Sequence, residues 1–512
     1  MYLCKIFLCL TKFNKKMKKK LIFIIAIILF NTLSFAQVVG STTGMLTWSL
    51  DLNNGTLTIC DSGDMPNYNY STNLAPWHTY RDTITTVIIG DSVANIGDYA
   101  FYKCKKLIYI TIPNSVARIG VAAFQECSRL TSIIIPDSVK NMGSFVFFQC
   151  DNLISATLSK NISSIEEYFF YECHNLSSVI IPDSVTTIGY FAFYECRNLT
   201  SINIPDNLTS IGERAFSGCS NLASIHIPDK VVNIGEYAFF QCSSLVSVNI
   251  PRSVANIGHY AFSQCSKLKN IDVESDNTAY SSENGVLFNK SKTKLIQYPI
   301  NKVGTSYNIP NSVTDILTSA FRFCHLVTIK IPNSVIVLYD FAFGYCHNLT
   351  SVSIGNQVDS ISYGGFYDCT ALKHIYSLNE NPPKVQKGTF TNVDTNTCIL
   401  HVPIGSKNKY AVADIWKSFI KIQEDAIGVE PLTMNNEPLT IYPNPTTGQL
   451  IIDNGQLIIE NIELYDVVGR KIVNCPLLIA NSIDISPLKA GIYFIKIHTN
   501  KGIIMQKISK KE

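Results

Sequence analysis

From Val87 onward, large apolar residues return in a fixed order between polar ones, and the order repeats every 23 residues. Phe-x-x-Cys marks the beat. Cys104, Cys127, Cys150, Cys173, Cys196, Cys219, Cys242 and Cys265 are evenly spaced, Cys324, Cys346 and Cys369 follow, and a Phe stands three residues before each. Within one unit the apolar positions are Val116, Ile119, Phe124, Cys127, Leu130, Ile133 and Ile135. The alternation from Leu130 to Ile135 predicts a short strand, ended by Pro136, which has no N–H to give a ladder. Ile-Pro closes eight such strands.

Each unit therefore reads as one coil of a solenoid. A lone coil leaves both open sides wet, so the coils must stack and the array needs a cap at each end. Leu46-Thr-Trp48, Gly55 to Ile59 and Pro76-Trp77 supply a strand-rich N-terminal cap over 37–86, ahead of repeats spanning 87–377. Between Val273 and Ile309 the period is broken, and the two apolar stretches around Asn289 to Lys292 predict a hairpin insertion at 274–308 that protrudes from the stack. Pro382-Pro383, Val402-Pro403 and Tyr410 to Phe419 suggest a closing cap over 378–425, followed by a linker at 426–438. From 439 to 512, Tyr442-Pro-Asn-Pro-Thr446, Leu464-Tyr-Asp466, Gly469-Arg470, Ile483 to Ser486 and Ala490-Gly-Ile-Tyr493 alternate strands and turns as a small β-sandwich does.

The unit Ile204 to Leu222 resembles, almost letter by letter, the repeat of BspA-like leucine-rich proteins: Ile-Pro-x-x-Val-x-x-Ile-Gly-x-x-Ala-Phe-x-x-Cys-x-x-Leu. The likeness runs from Val87 to about Tyr376 and departs from the pattern where Gly is replaced, at Glu166, Leu317, Tyr339 and Ser362. It implies a leucine-rich repeat solenoid of short parallel strands, and adhesion to an extracellular protein or glycan. Residues 439–512 resemble the C-terminal sorting domain of type IX secretion substrates of Gram-negative bacteria. That likeness implies a partner in the type IX secretion machinery, and a final location that is secreted or on the outer-membrane surface.

The N-terminus agrees with export. Lys15, Lys16, Lys18, Lys19 and Lys20 precede the apolar run Leu21 to Phe30, and Ser34-Phe35-Ala36 offers a cleavage site, so 1–36 reads as a signal peptide. The run is shorter than the roughly 20 residues of a spanning helix, so no transmembrane anchor is expected in the mature chain. The whole chain has 42 Lys plus Arg against 39 Asp plus Glu, and seven lysines leave with the signal, turning +3 into −4. With no basic cluster left, nucleic acid is not an expected partner.

Fourteen of the 16 cysteines remain after that cut, a number that in an exported chain suggests disulfides. The ladder argues otherwise, because equivalent strand positions lie about 4.8 Å apart whereas a disulfide brings Cβ atoms to about 3.8 Å. The eleven read as buried thiols, and their spacing is not that of metal ligands. His174, His325 and His347 share one repeat position and are spread along the array. No catalytic, phosphate-binding or dinucleotide motif occurs, so no cofactor, metal or catalytic residue is assigned. The alternative is an exported hydrolase or glycan-processing protein with a site near Gly285 to Pro299.

Two outward columns remain on the strands, five and seven residues after each Cys. They are mostly Ser, Thr or Ile and become distinctive at Asn203, His226, Asn249, Asn270, Asp272, Lys330, His374 and Tyr376, the candidate binding face. Small hydroxyl residues are equally compatible with simple tolerance there. An aromatic column two residues before the Cys, with Tyr102, Phe148, Tyr171, Tyr194, Phe240 and Tyr367, reads as edge packing or as a platform for sugar rings.

Overall fold

The structure, a computed structural model, describes residues 37–42, 46–425 and 440–511, the last without 443–445, 448, 454–458, 468, 476–481 and 500–501. The signal peptide and linker inferred above lie outside the described residues. The chain divides into two compact units, Met1–Gly304 with Ile316–His325 and Thr305–Asp315 with Leu326–Glu512.

In the first unit, Gln37–Ser41, Thr47–Asp51 and Thr56–Cys60 form an antiparallel meander, and Thr56–Cys60 then pairs in parallel with Thr86–Ile89. Trp77 closes the core beneath it. Its indole N–H donates to the Ala100 carbonyl at 2.7 Å, and its ring lies 5.9 Å from Phe101. Most following coils contribute a strand such as Ser132–Ile134 and, on another side, a two-residue strand such as Asn141–Met142, both paired in parallel with neighbouring coils; the first strand is reduced to a single bridge at Asn203 and is not formed around His226. The side chains of Ile133 and Ile135 point inward while Ser132 and Ile134 face water, as period-two alternation requires.

The inward columns form the core. Phe101, Phe124, Phe147, Phe170, Phe193, Phe216, Phe239 and Phe262 stack in succession with ring centroids 5.1–5.7 Å apart. The cysteines beside them are buried thiols, and each of Cys127, Cys150, Cys173, Cys196, Cys219, Cys242 and Cys265 donates from Sγ to the Phe carbonyl of the preceding coil at 3.0–3.2 Å. Burial raises the thiol pKa along the column, to about 12 at Cys104 and Cys265.

Every coil with a Phe-x-x-Cys turns through two left-handed residues, five and one before the Cys. Most are not glycine: Phe145, Tyr168 and Phe191 sit at φ 55–62°, with Gln149, Glu172 and Glu195 at 54–58°. Gly218 and Gly364 are the exceptions that need no strain there.

The segment expected to protrude does not. Tyr280–Glu283, Val286–Asn289 and Lys294–Gln297 form an antiparallel three-strand meander in which Val286, Leu287, Phe288 and Leu295 are buried. Asn277, also buried, donates to the Pro251 and Val254 carbonyls at 2.8 and 3.0 Å. Tyr298 takes the place of a column Phe, its ring 5.0 Å from Phe321. The insertion is thus a coil with its own rung; its apolar residues are too many and too large to leave in water.

In the second unit, Ser306–Asn308, Thr328–Lys330, Ser351–Ile354, His374–Ser377, Ile399–Pro403 and Lys421–Asp425 form one parallel sheet in that order. Tyr410, on the α-helix Lys407–Val412, and Trp416 are buried beneath its end, where the Trp416 indole donates to the Pro383 carbonyl at 2.9 Å. Further along, Thr440–Tyr442, Gln449–Asp453 and Ser482–Asp484 form one antiparallel sheet, and Lys471–Cys475, Ile459–Tyr465, Gly491–Thr499 and Gly502–Lys510 another. Leu450, Ile452, Ile462, Leu464, Ile495 and Ile497 share one buried cluster drawn from both sheets.

Candidate binding face

The strand register decides which outward residues are neighbours. In the first unit Asn203 bridges Ile180, Asn249 stands opposite Asp272, and Ser247 opposite Asn270. Asn203, His226, Asn249, Asn270 and Asp272 are all exposed. Asn270 lies against the inserted coil: Gly285 has its missing side-chain position 2.4 Å from the Asn270 side-chain oxygen Oδ1, so no other residue fits there without displacing Asn270.

In the second unit one row runs Lys330, Ser353, Tyr376, His401, Gln423 across successive strands, and another runs Thr328, Ser351, His374. Lys330 is exposed and His374 and Tyr376 are half-buried. The sequence pattern missed His401 and Asp425, which complete a cluster with them. The His401 imidazole, only 6% exposed, is flat against the Tyr376 ring at 4.2 Å, contacts His374 Nδ1 at 3.1 Å through Nε2, and bonds Asp425 through Nδ1. Gln423 donates to the other Asp425 oxygen at 2.8 Å.

A tautomer set with His401 Nδ1–H donating to the Asp425 carboxylate and Nε2 accepting from His374 Nδ1–H satisfies all three groups. Burial, then the neighbouring His401 and Lys373, lowers the His374 pKa, which holds that imidazole in its neutral form. Burial and Asp425 raise the Tyr376 pKa, so its hydroxyl keeps its proton. The cluster presents an imidazole, a phenol and, two strands along the Tyr376 row, the Lys330 cation.

The middle of the aromatic column is packed ring on ring, while Tyr102, Phe240 and Tyr367 meet neighbouring rings only edge-on or tilted. Phe148 and Tyr171 stack at 4.6 Å, Tyr171 and Tyr194 at 4.8 Å, and beside them Phe145, Tyr168 and Phe191 stack at 4.6 and 4.9 Å. Arg214 continues that second ladder, its guanidinium 5.3 Å from Phe191 and 4.6 Å from Tyr237. Ring faces used on one another are not free for a sugar. Near the inserted coil, a groove of about 370 Å³ is lined by His259, Tyr260, Tyr280, Lys294 and Gln297 among others, with no carboxylate or thiol.

The BspA type leucine rich repeat region, as a six-copy profile, matches residues 78–200, 186–305 and 301–415. The chain belongs to this family. In this BspA-type protein, residues 440–511 match the secretion system C-terminal sorting domain, so it is an exported protein, secreted or displayed at the cell surface through type IX secretion. No helix among the described residues is long and apolar enough to cross a membrane.

Solved structures similar to it include a leucine-rich repeat protein of Eubacterium ventriosum, 25% identical over 72% of this chain and 78% of that one, TM-score 0.30. A leucine rich cell surface protein of Faecalibacterium prausnitzii is 24% identical over 76% and 98%, TM-score 0.38, and a leucine-rich repeat protein of Bacteroides ovatus 21% over 75% and 99%, TM-score 0.45. No curated protein matches the chain.

Proposed function

We propose that the protein binds an extracellular protein or glycan through its outward strand rows, as an adhesion or cell-interaction protein without catalysis. The observation that carries this reading is the His374–His401–Asp425 chain with Tyr376, set in one row with Lys330. Polar side chains fixed by one another on a rigid sheet lose little freedom when a partner arrives. Asn203, His226, Asn249, Asn270 and Asp272 form the corresponding stretch of the first unit. The segments 37–86, 87–377, 378–425 and 439–512 serve this role as cap, binding array, cap and sorting module.

Arrays of extracellular matrix proteins and glycans, probed with the full exported chain, test the proposal. Binding that falls at least tenfold in His374→Ala and Tyr376→Ala variants of unchanged melting temperature supports it. A chain that binds nothing above background, or variants that bind as well as the parent, refute it.

A further inference from the structure

In the first unit the same outward strand rows, before they reach Asn203 beside Ile180, form an apolar stretch unlike the polar clusters above. Ile88, Ile108, Tyr109, Ile134, Ile154 and Ile180 are 43–72% exposed and lie on successive coils. At roughly 200 Å² for a free side chain of this size, they leave about 600–700 Å² in water. A typical monomer tolerates patches of about 300–600 Å², and a standard interface buries about 800 Å² per partner. In the two strand rows from Thr86 and Ile88 to Ser178 and Ile180 there is no Asp, Glu, Lys or Arg.

The patch is patterned. Ile88, Ile134 and Ile180 alternate along their row with Thr111 and Thr157, as the register Ile88–Thr111 and Ile134–Thr157–Ile180 fixes. At the strand edge Ile108 and Ile154 alternate with Thr131 and Ser177, and the phase is opposite: the coil with Ile108 carries Thr111, and the next, with Thr131, carries Ile134. Large and small positions therefore form a checkerboard whose repeat is two coils, about 10 Å at the usual strand spacing.

We propose that this face associates with the same face of a second copy of the chain. The strand rows are uncharged, and Arg129 is the single charged side chain lining the groove beside Ile108 and Ile154, so the face meets its own copy with little like-charge repulsion. Two sheets pack face to face at about 10 Å. Offset by one coil, each isoleucine of one copy meets the small residue of the other, the large-against-small arrangement that fills a core. A sugar partner is less suited, because five of the six exposed residues are aliphatic and Tyr109 is the single ring. The proposal goes beyond the binding role above and does not depend on it, since that reading rests on the second unit's cluster.

Sedimentation velocity of the full exported chain from about 1 to 100 µM tests it. A monomer that passes to dimer with concentration is expected. Ile134→Asp with Ile180→Asp, at positions 72% and 66% exposed, should weaken that dimer at least tenfold without changing the melting temperature. Ile420→Asp, equally exposed in the second unit, should leave it intact. A chain that stays monomeric throughout, including one that instead binds a foreign protein or glycan through this face, overturns the proposal. So does a dimer that the paired substitution leaves as tight as before.

Discussion

Replacing Phe193 by Ala tests the register on which the whole reading depends. The Phe193 side chain is fully buried, with the Phe170 ring at 5.3 Å on one side and Phe216 at 5.1 Å on the other. Truncation leaves a cavity walled by neighbouring coils, which are held by hydrogen bonds on several sides and cannot collapse into it. The expected cost is roughly 3–5 kcal/mol. Each ring pair accounts for about 0.5–1.5 kcal/mol beyond burial, so Phe193→Ala and Phe216→Ala combined should fall short of the sum of their separate costs by about that amount. Phe101→Ala, four coils from Phe193, should add independently. Ser201→Ala, on the exposed strand face, should change stability by less than about 0.5 kcal/mol. Urea titrations followed by circular dichroism give these differences, read as midpoints because repeat arrays need not unfold in one step. Equal midpoints for Phe193→Ala and Ser201→Ala, or strict additivity for the neighbouring pair, would refute the stacked column.

Other consequences are as direct. Thiol reagents at neutral pH should label exposed Cys60 first among the described cysteines and reach Cys196 only on unfolding; fast labelling of Cys196 in the native state would contradict its burial. Ser319 is buried at φ 58° with an unpartnered hydroxyl, so Ser319→Gly should stabilise by about 1 kcal/mol, whereas a loss of stability would show that the hydroxyl matters. Because folding lowers the His374 pKa below about 6.5, its contribution to stability is complete above that pH and is lost as pH falls through the folded value; His374→Gln should flatten the pH dependence of the melting temperature between about pH 7.5 and 5, and an unchanged slope would count against it. Deleting 439–512 should leave the protein in the periplasm, which surface labelling of cells would contradict by finding it outside.

The period made much of this legible. A 23-residue spacing with Phe and Cys at fixed offsets locates the strands, although none forms around His226, and alternation then separates Ile133 from Ser132. Tyr298 escaped because a Tyr stands for Phe and 36 residues, not 23, separate it from Phe262. His401 and Asp425 escaped for a related reason: they lie past the last Phe-x-x-Cys, where only the alternation Ile399-Leu-His-Val402 still signals a strand of the same sheet. The left-handed turn residues carry no signal at all, since Phe145 and Glu172 are held there by the coils around them, not by their own preference. Nor does composition reveal that a thiol donates to the previous coil.

The burial of these thiols sets an order of events. A cysteine becomes inert only when its own coil has closed and the coils beside it have docked and buried it. Before then, the periplasm meets a chain of reactive thiols at regular intervals, each able to pair with any other. Docking of coils must therefore outrun oxidation, and conditions that slow docking should produce covalently scrambled chains even where the finished array is stable.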